Sequence, residues 1–237
     1  MLGLGLGIPL GSAIVSKSPI SIGSSLALWL QNSAGVAVGQ WDDSSGNSNH
    51  ATQGTSGNQA VVADGGLNFD GSNDHYDLTS TITVANDSAF CLAIVLNQDT
   101  ASNNTILSKT ANEVISIKDA QTIEFKTNGN GNVTTELVVP NGTFTATQKL
   151  LVVLNRDRNG AFSIFQNGTA VTIDGDNSTN AAEGDNQGGF TLDVLGSNAG
   201  SSNFFDGKIL GLSFWNGELS TQDIADVNSY FTGIHGI

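Results

Sequence analysis

The feature that most constrains this chain is its punctuation. Among its 237 residues, Asn-Gly begins at Asn128, Asn130, Asn141, Asn159, Asn167 and Asn216, and Asp-Gly at Asp64, Asp70, Asp174 and Asp206. Both dipeptides supply the positive φ that tight hairpin turns require. Between them lie short apolar or alternating runs at 90–96, 105–108, 114–117, 122–126, 150–155, 161–166, 170–173, 192–195 and 208–215. Many short strands at close spacing, with no helices between them, read as an antiparallel sandwich or barrel. One short helix is expected near the end. Ser220 precedes it, Asp223 meets the free N–H groups of its first turn, and Ile224, Val227 and Tyr230 or Phe231 follow at helical spacing. Gly233 is expected to stop it. Residues 174–189 carry almost no apolar side chain and read as a solvated loop.

Composition narrows the function. Hydrophobic residues make up 38%, enough for a real core, while 8 Lys+Arg against 22 Asp+Glu give a formal charge of -14. Such a surface repels phosphate backbones and anionic lipid heads, so neither nucleic acid nor membrane is an expected partner. A single cysteine, Cys91, excludes an internal disulfide and any Cys-built metal site, and its apolar neighbours imply burial. The 3 histidines leave little room for His-based zinc chemistry.

The first residues are expected to form neither a signal peptide nor a spanning helix. Lys17 is the first cation, and Gly3, Gly5, Gly7, Pro9 and Gly11 interrupt the apolar run. Leu-Gly alternation suits an extended arm over residues 1–25, ahead of one domain at 26–237. Leu2, Leu4, Leu6, Ile8 and Leu10 have no core of their own there. The arm is either a frayed terminus or a docking segment for a neighbouring subunit.

Several phrases, read in order, resemble the laminin-G-like, pentraxin-like jelly rolls of the concanavalin A-like superfamily. LALWLQ (Leu26 to Gln31) resembles a first strand, and WDDSSGNSNHATQ (Trp41 to Gln53) is similar to the family's SGN loop. GGLNFDGSNDHYDL (Gly65 to Leu78) resembles a hairpin whose Phe and Tyr flank an FDG turn. Ile106 to Lys109, Phe165 to Gly168, and Phe204 to Trp215 followed by Leu219-Ser220 resemble later strands and the closing segment. The resemblance covers about residues 26–232 and implies an all-β, antiparallel sandwich with one C-terminal helix and an extended N-terminal arm.

It also implies a structural calcium, associated with an acidic residue after the closing GKI, where this chain has Leu210. The remaining candidate ligands are Asp42, Asp43, Asn47, Asn49 and Asp206. The other reading of the SGN loop is a turn held by its own Asx and Ser side chains.

No catalytic set is found. Glu113, Glu124, Glu136 and Glu218 stand singly, with no acid two positions away to make a glycosidase pair along a strand, and Glu183, with Asp185 two positions on, lies in the polar loop rather than on a strand. No G-x-S-x-G elbow occurs, and His50 and His75 read as hydrogen-bonded turn residues. The chain is expected not to be an enzyme. Sugar recognition needs exposed aromatic rings. Trp29, Trp41, Tyr76 and Trp215 are expected in or near the core and Tyr230 on the helix's buried face, which leaves phenylalanines. Sequons at Asn86, Asn103, Asn132, Asn141, Asn167 and Asn177 read as Asn-rich turns.

Two functional readings compete. A Leu-Gly leader running straight into such a sandwich resembles structural proteins of tailed bacteriophages, such as capsid decorations, head fibres and tail appendages. The expected partners are then other virion proteins and copies of the chain, with a trimer as the default, and the location is the virion surface. The alternative is a calcium-assisted, lectin-like module for host glycans.

Overall fold

In the computed structural model the described residues are 17–23, 25–127, 133–176 and 188–237. They form two antiparallel sheets packed face to face, with strands numbered in chain order. The first sheet holds, in spatial order, β15 (Thr169–Val171), β14 (Phe162–Gln166), β13 (Leu150–Arg156), β8 (Phe90–Gln98), β18 (Asp206–Trp215), β6 (Gly66–Asp70) and β5 (Val61–Ala63). A further strand, β1 (Leu26–Leu30), pairs with the C-terminal half of β18.

The second sheet runs β16 (Gly175–Asp176), β12 (Val133–Val138), β11 (Thr122–Thr127), β10 (Glu113–Asp119), β9 (Asn104–Thr110), β17 (Phe190–Leu195), β7 (Tyr76–Val84), β4 (Ala51–Thr52), β3 (Gln40–Trp41) and β2 (Val36–Ala37). The expected sandwich is therefore what the chain builds, and each expected strand lies within or overlaps an observed one. The expectation had no strand for 133–138: its VTTELV sequence is mostly polar and pairs with β11 beside the sheet's edge.

The turn dipeptides divide by context. Asp64-Gly65 and Asn167-Gly168 are the two-residue loops of β5–β6 and β14–β15, with φ of 50° and 79° in one and 49° and 80° in the other. Asp206-Gly207 instead opens β18, where a Cβ on Gly207 would come within 2.4 Å of the Asn97 carbonyl oxygen. The glycine there admits the backbone of β8. The FDG phrase is not a hairpin either, since β6 belongs to the first sheet and β7 to the second. The chain crosses the sandwich between them, and Phe69 and Tyr76 meet edge to face inside the core at 6.0 Å.

The first sheet is buried on both sides, which explains why its central strands are continuously apolar rather than alternating. In β8, Phe90, Leu92, Ile94 and Leu96 face the second sheet. Cys91, Ala93 and Val95 face outward into a second core with Leu151, Val153 and Trp215. Helix α1 (Thr221–His235) covers that outer face with Ile224, Val227, Tyr230 and Phe231. Its start follows the sequence signal: the Ser220 hydroxyl accepts from the Asp223 N–H, and the Asp223 carboxylate accepts from the Ser220 N–H. Its end does not. Gly233 continues the helix, and Gly236 in the left-handed region at φ 64° terminates it.

The expected arm ended at residue 25, yet its described portion is part of the domain. Ile22 is fully buried in the outer core and its carbonyl accepts from Trp215 Nε1 at 2.8 Å. Lys17 pairs with Asp226 on α1 at 2.8 Å. Leu2, Leu4, Leu6, Ile8 and Leu10 lie outside the described residues.

Candidate functional site

The expected calcium ligands do not assemble. Asp43 closes its own loop. Oδ1 accepts from the backbone of Trp29 and Ser45, and Oδ2 from the Ser45 hydroxyl and the Asn49 backbone, all at 2.6–3.0 Å. Four donors on two oxygens leave no lone pair free for a cation. Asn47 donates to the carbonyls of Leu26 and Ala27, while Asn49 Oδ1 accepts from Ser80 N–H. Asp42 accepts from Gln40.

The loop's work is to cover the free edge of β1, whose Trp29 carbonyl also accepts from Ser44 N–H. Asp206 is elsewhere. The loop holds β1 at Trp29, which pairs with Ser213, and Asp206 lies seven residues along β18 from there, roughly 23 Å at the rise of an extended strand. Its carboxylate accepts from Thr100. Leu210, standing where the family carries an acid, is buried in the outer core. These residues do not fit a calcium ion, and among the described residues no three His, Cys, Asp or Glu are grouped to hold a metal.

The outer face of the second sheet shows what a search along single strands misses. Glu124 and Glu136 sit directly opposite each other on β11 and β12. Each is neutralised by a lysine: Lys126 lies 3.0 Å from Glu124, and Lys118 pairs with Glu136. Lys109 similarly bonds Asp193 and the Thr81 hydroxyl. This is a solvated face of compensated charge, with neither carboxylate left free to act as acid or nucleophile. His50 and His75 are bonded within their loops, and burial pushes the Cys91 thiol up, away from the reactive thiolate.

A groove is present on the other side of the molecule. α1 covers β8 and β13 but stops short of the β14–β15 hairpin, leaving a trough of about 570 Å³ between helix and hairpin. That volume is in the range of small-ligand sites. Its apolar lining is Phe165, half-buried on β14, with Ile224 and Ala225 from the helix and Ile237 beyond it. Ser163, Asn167, Thr169, Asn228 and Thr232 bring amides and hydroxyls to the same space. Among the described residues none of the side chains lining it is charged. The alternation of β14 decides the aromatic: Ile164 points into the sandwich and Phe165 out of it. Trp29, Trp41, Tyr76, Trp215 and Tyr230 are all buried, as the sequence implied. The residues of the groove carry no motif. The faint signal was Phe165 ahead of the Asn167-Gly168 turn.

A family model described as the concanavalin A-like lectin/glucanase superfamily matches residues 70–225. The chain belongs to the concanavalin A-like lectin/glucanase superfamily. Solved structures with this sandwich include the binding domain of paraclostridial mosquitocidal protein 1, at 12% identity and a TM-score of 0.61 over 87% of this chain and 52% of that one. A Trypanosoma rangeli sialidase in complex with sialic acid is similar at 16% identity and a TM-score of 0.54, over 89% of this chain and 34% of the other. A mutant of HCR/D matches at 17% identity and a TM-score of 0.60, over 89% and 53%. This lectin/glucanase-type chain thus spans between a third and a half of the structures it resembles, and at these identities the likeness is one of fold. No curated protein matches it in sequence. Among the described residues no helix is long and apolar enough to cross a membrane.

Proposed function

We propose that this chain is a non-catalytic carbohydrate-recognition domain whose site is the trough between α1 and the β14–β15 hairpin. The observation that carries the reading is a partly buried aromatic, Phe165, on the floor of a cavity walled by uncharged amides and hydroxyls. A sugar presents an apolar C–H face and a rim of hydroxyls, and that combination of surfaces matches both. The name of one similar structure, a sialidase in complex with sialic acid, supports glycan recognition as the class of activity. Binding does not need calcium, because the candidate ligands are already saturated or apart.

The test is a glycan array with the full chain, followed by calorimetric titration of the best hits. Binding is expected to be insensitive to EDTA. It should fall at least about tenfold in Phe165→Ala, from loss of a buried aromatic contact, in protein whose fold is checked by circular dichroism. A flat array, or titrations indifferent to Phe165, overturns the reading.

The spacing of Leu2, Leu4, Leu6, Ile8 and Leu10 favours a second reading, that of a virion decoration or tail subunit anchored through its leader, with a trimer as the default by analogy with fibres. A leucine buried in a partner contributes about 1.5–3 kcal/mol, which symmetric repetition multiplies. Deleting residues 2–16 should abolish incorporation into particles; unchanged occupancy dismisses this anchoring.

A further inference from the structure

We infer that the groove selects neutral, hydroxyl-rich sugars and discriminates against sialylated and other carboxylated ones. The inference rests on the carbohydrate reading above and sharpens it to a ligand class. The first ground is Asn228, 6% exposed on the groove wall. Its Nδ2 donates to the Ile224 carbonyl at 3.0 Å, which fixes the amide's orientation, since the flipped amide would set oxygen against oxygen. Oδ1 is left buried with no partner.

A buried acceptor without a donor is an unmet demand, which a sugar hydroxyl or N–H satisfies; what sets carboxylated sugars apart is charge. Asn228 lies against the hairpin tip. Gly168 lacks the Cβ that would sit 3.9 Å from the Asn228 Cβ and 3.7 Å from Thr232 Cγ2. The left-handed turn at φ 80° keeps that position a glycine. On this inference the hairpin tip yields when a sugar binds, and a ligand hydroxyl then reaches Oδ1.

The second ground is charge. Among the described residues no Lys, Arg or His lines the groove, and the molecule carries a formal charge of -14, so a carboxylated sugar meets no cation there and a repulsive field.

The experiment titrates the full chain with neutral lactose and N-acetyllactosamine oligomers and with their sialylated counterparts, at low and moderate salt. The neutral sugars are expected to bind at least about tenfold more tightly, with the gap narrowing as salt rises. Asn228→Ala should weaken neutral-sugar binding by roughly ten- to a hundredfold while thermal melting confirms folded protein. Thr81→Ala, on the opposite sheet, should leave binding unchanged. Equal or tighter binding of sialylated sugars, or neutral-sugar binding indifferent to Asn228, overturns this inference alone. Absence of binding to every sugar overturns the carbohydrate reading with it.

Discussion

Arg156 is the residue most at odds with its surroundings. It is fully buried at the end of β13, with its guanidinium 5.1–5.6 Å from the rings of Phe90, Phe125 and Phe190. It donates to the carbonyls of Gly188 and Ser88, fastening two loop backbones to the core. Burial lowers its pKa to about 10, which still leaves it charged at neutral pH. Cation–π contact and charged hydrogen bonds offset the desolvation. Arg156→Ala removes the donors and opens a cavity, so stability should fall by about 3 kcal/mol or more, read as a lower urea midpoint.

His235, near the end of α1, gives the pH dependence. Burial, with Lys149 adding to it, lowers its pKa to about 4, below the usual 6.5. The unfolded chain takes up a proton as pH falls through 6.5, while the folded chain resists until about 4. Stability is therefore lost as pH drops across that window and is flat below it. The ring is only half-buried, so after discounting for solvent the loss is about 1 kcal/mol. Denaturant melts at pH 7 and 4.5 should show a steeper decline for the wild type than for His235→Gln.

Among elements, legibility followed how local the determining forces were. The β14–β15 hairpin and the start of α1 were readable because two residues in a turn, or Ser220 with Asp223, satisfy their own backbone demands. The FDG segment was misread because local turn chemistry does not say whether the next strand pairs with its predecessor or crosses to the other sheet. Asp70 Oδ1 accepts from Ser72 N–H, and Asp70 N–H donates to Asp74, a tidy loop compatible with either course. The SGN loop was legible as a turn held by Asx and Ser bonds. Its real partner, the edge of β1, was not, because Asn47 and Leu26 meet only through tertiary packing.

At the scale of the whole molecule, one helix makes the first sheet a three-layer structure on that side. Val227 and Phe231 close a face that otherwise exposes Ala93, Val95, Leu151 and Val153. Truncation after Glu218 should yield protein that binds hydrophobic dyes and aggregates, since an apolar patch of that kind does not persist in water. A truncated chain that stayed monomeric and soluble by light scattering would show that the sandwich does not need its lid. The same helix creates the groove, because it is narrower than the sheet it covers.

The sequence by itself determined the class of fold, the position of the helix start and the burial of the tryptophans and Cys91, because periodicity, turn residues and apolar runs act over a few residues. The tertiary structure alone decided that Glu124 faces Glu136, that Asp206 is remote from Asp43, and that Phe165 and Asn228 share one trough. Phe165 and Asn228 stand 63 positions apart in the chain. Their meeting depends on where a helix settles across a sheet, a result of the summed packing of both faces that no short stretch encodes.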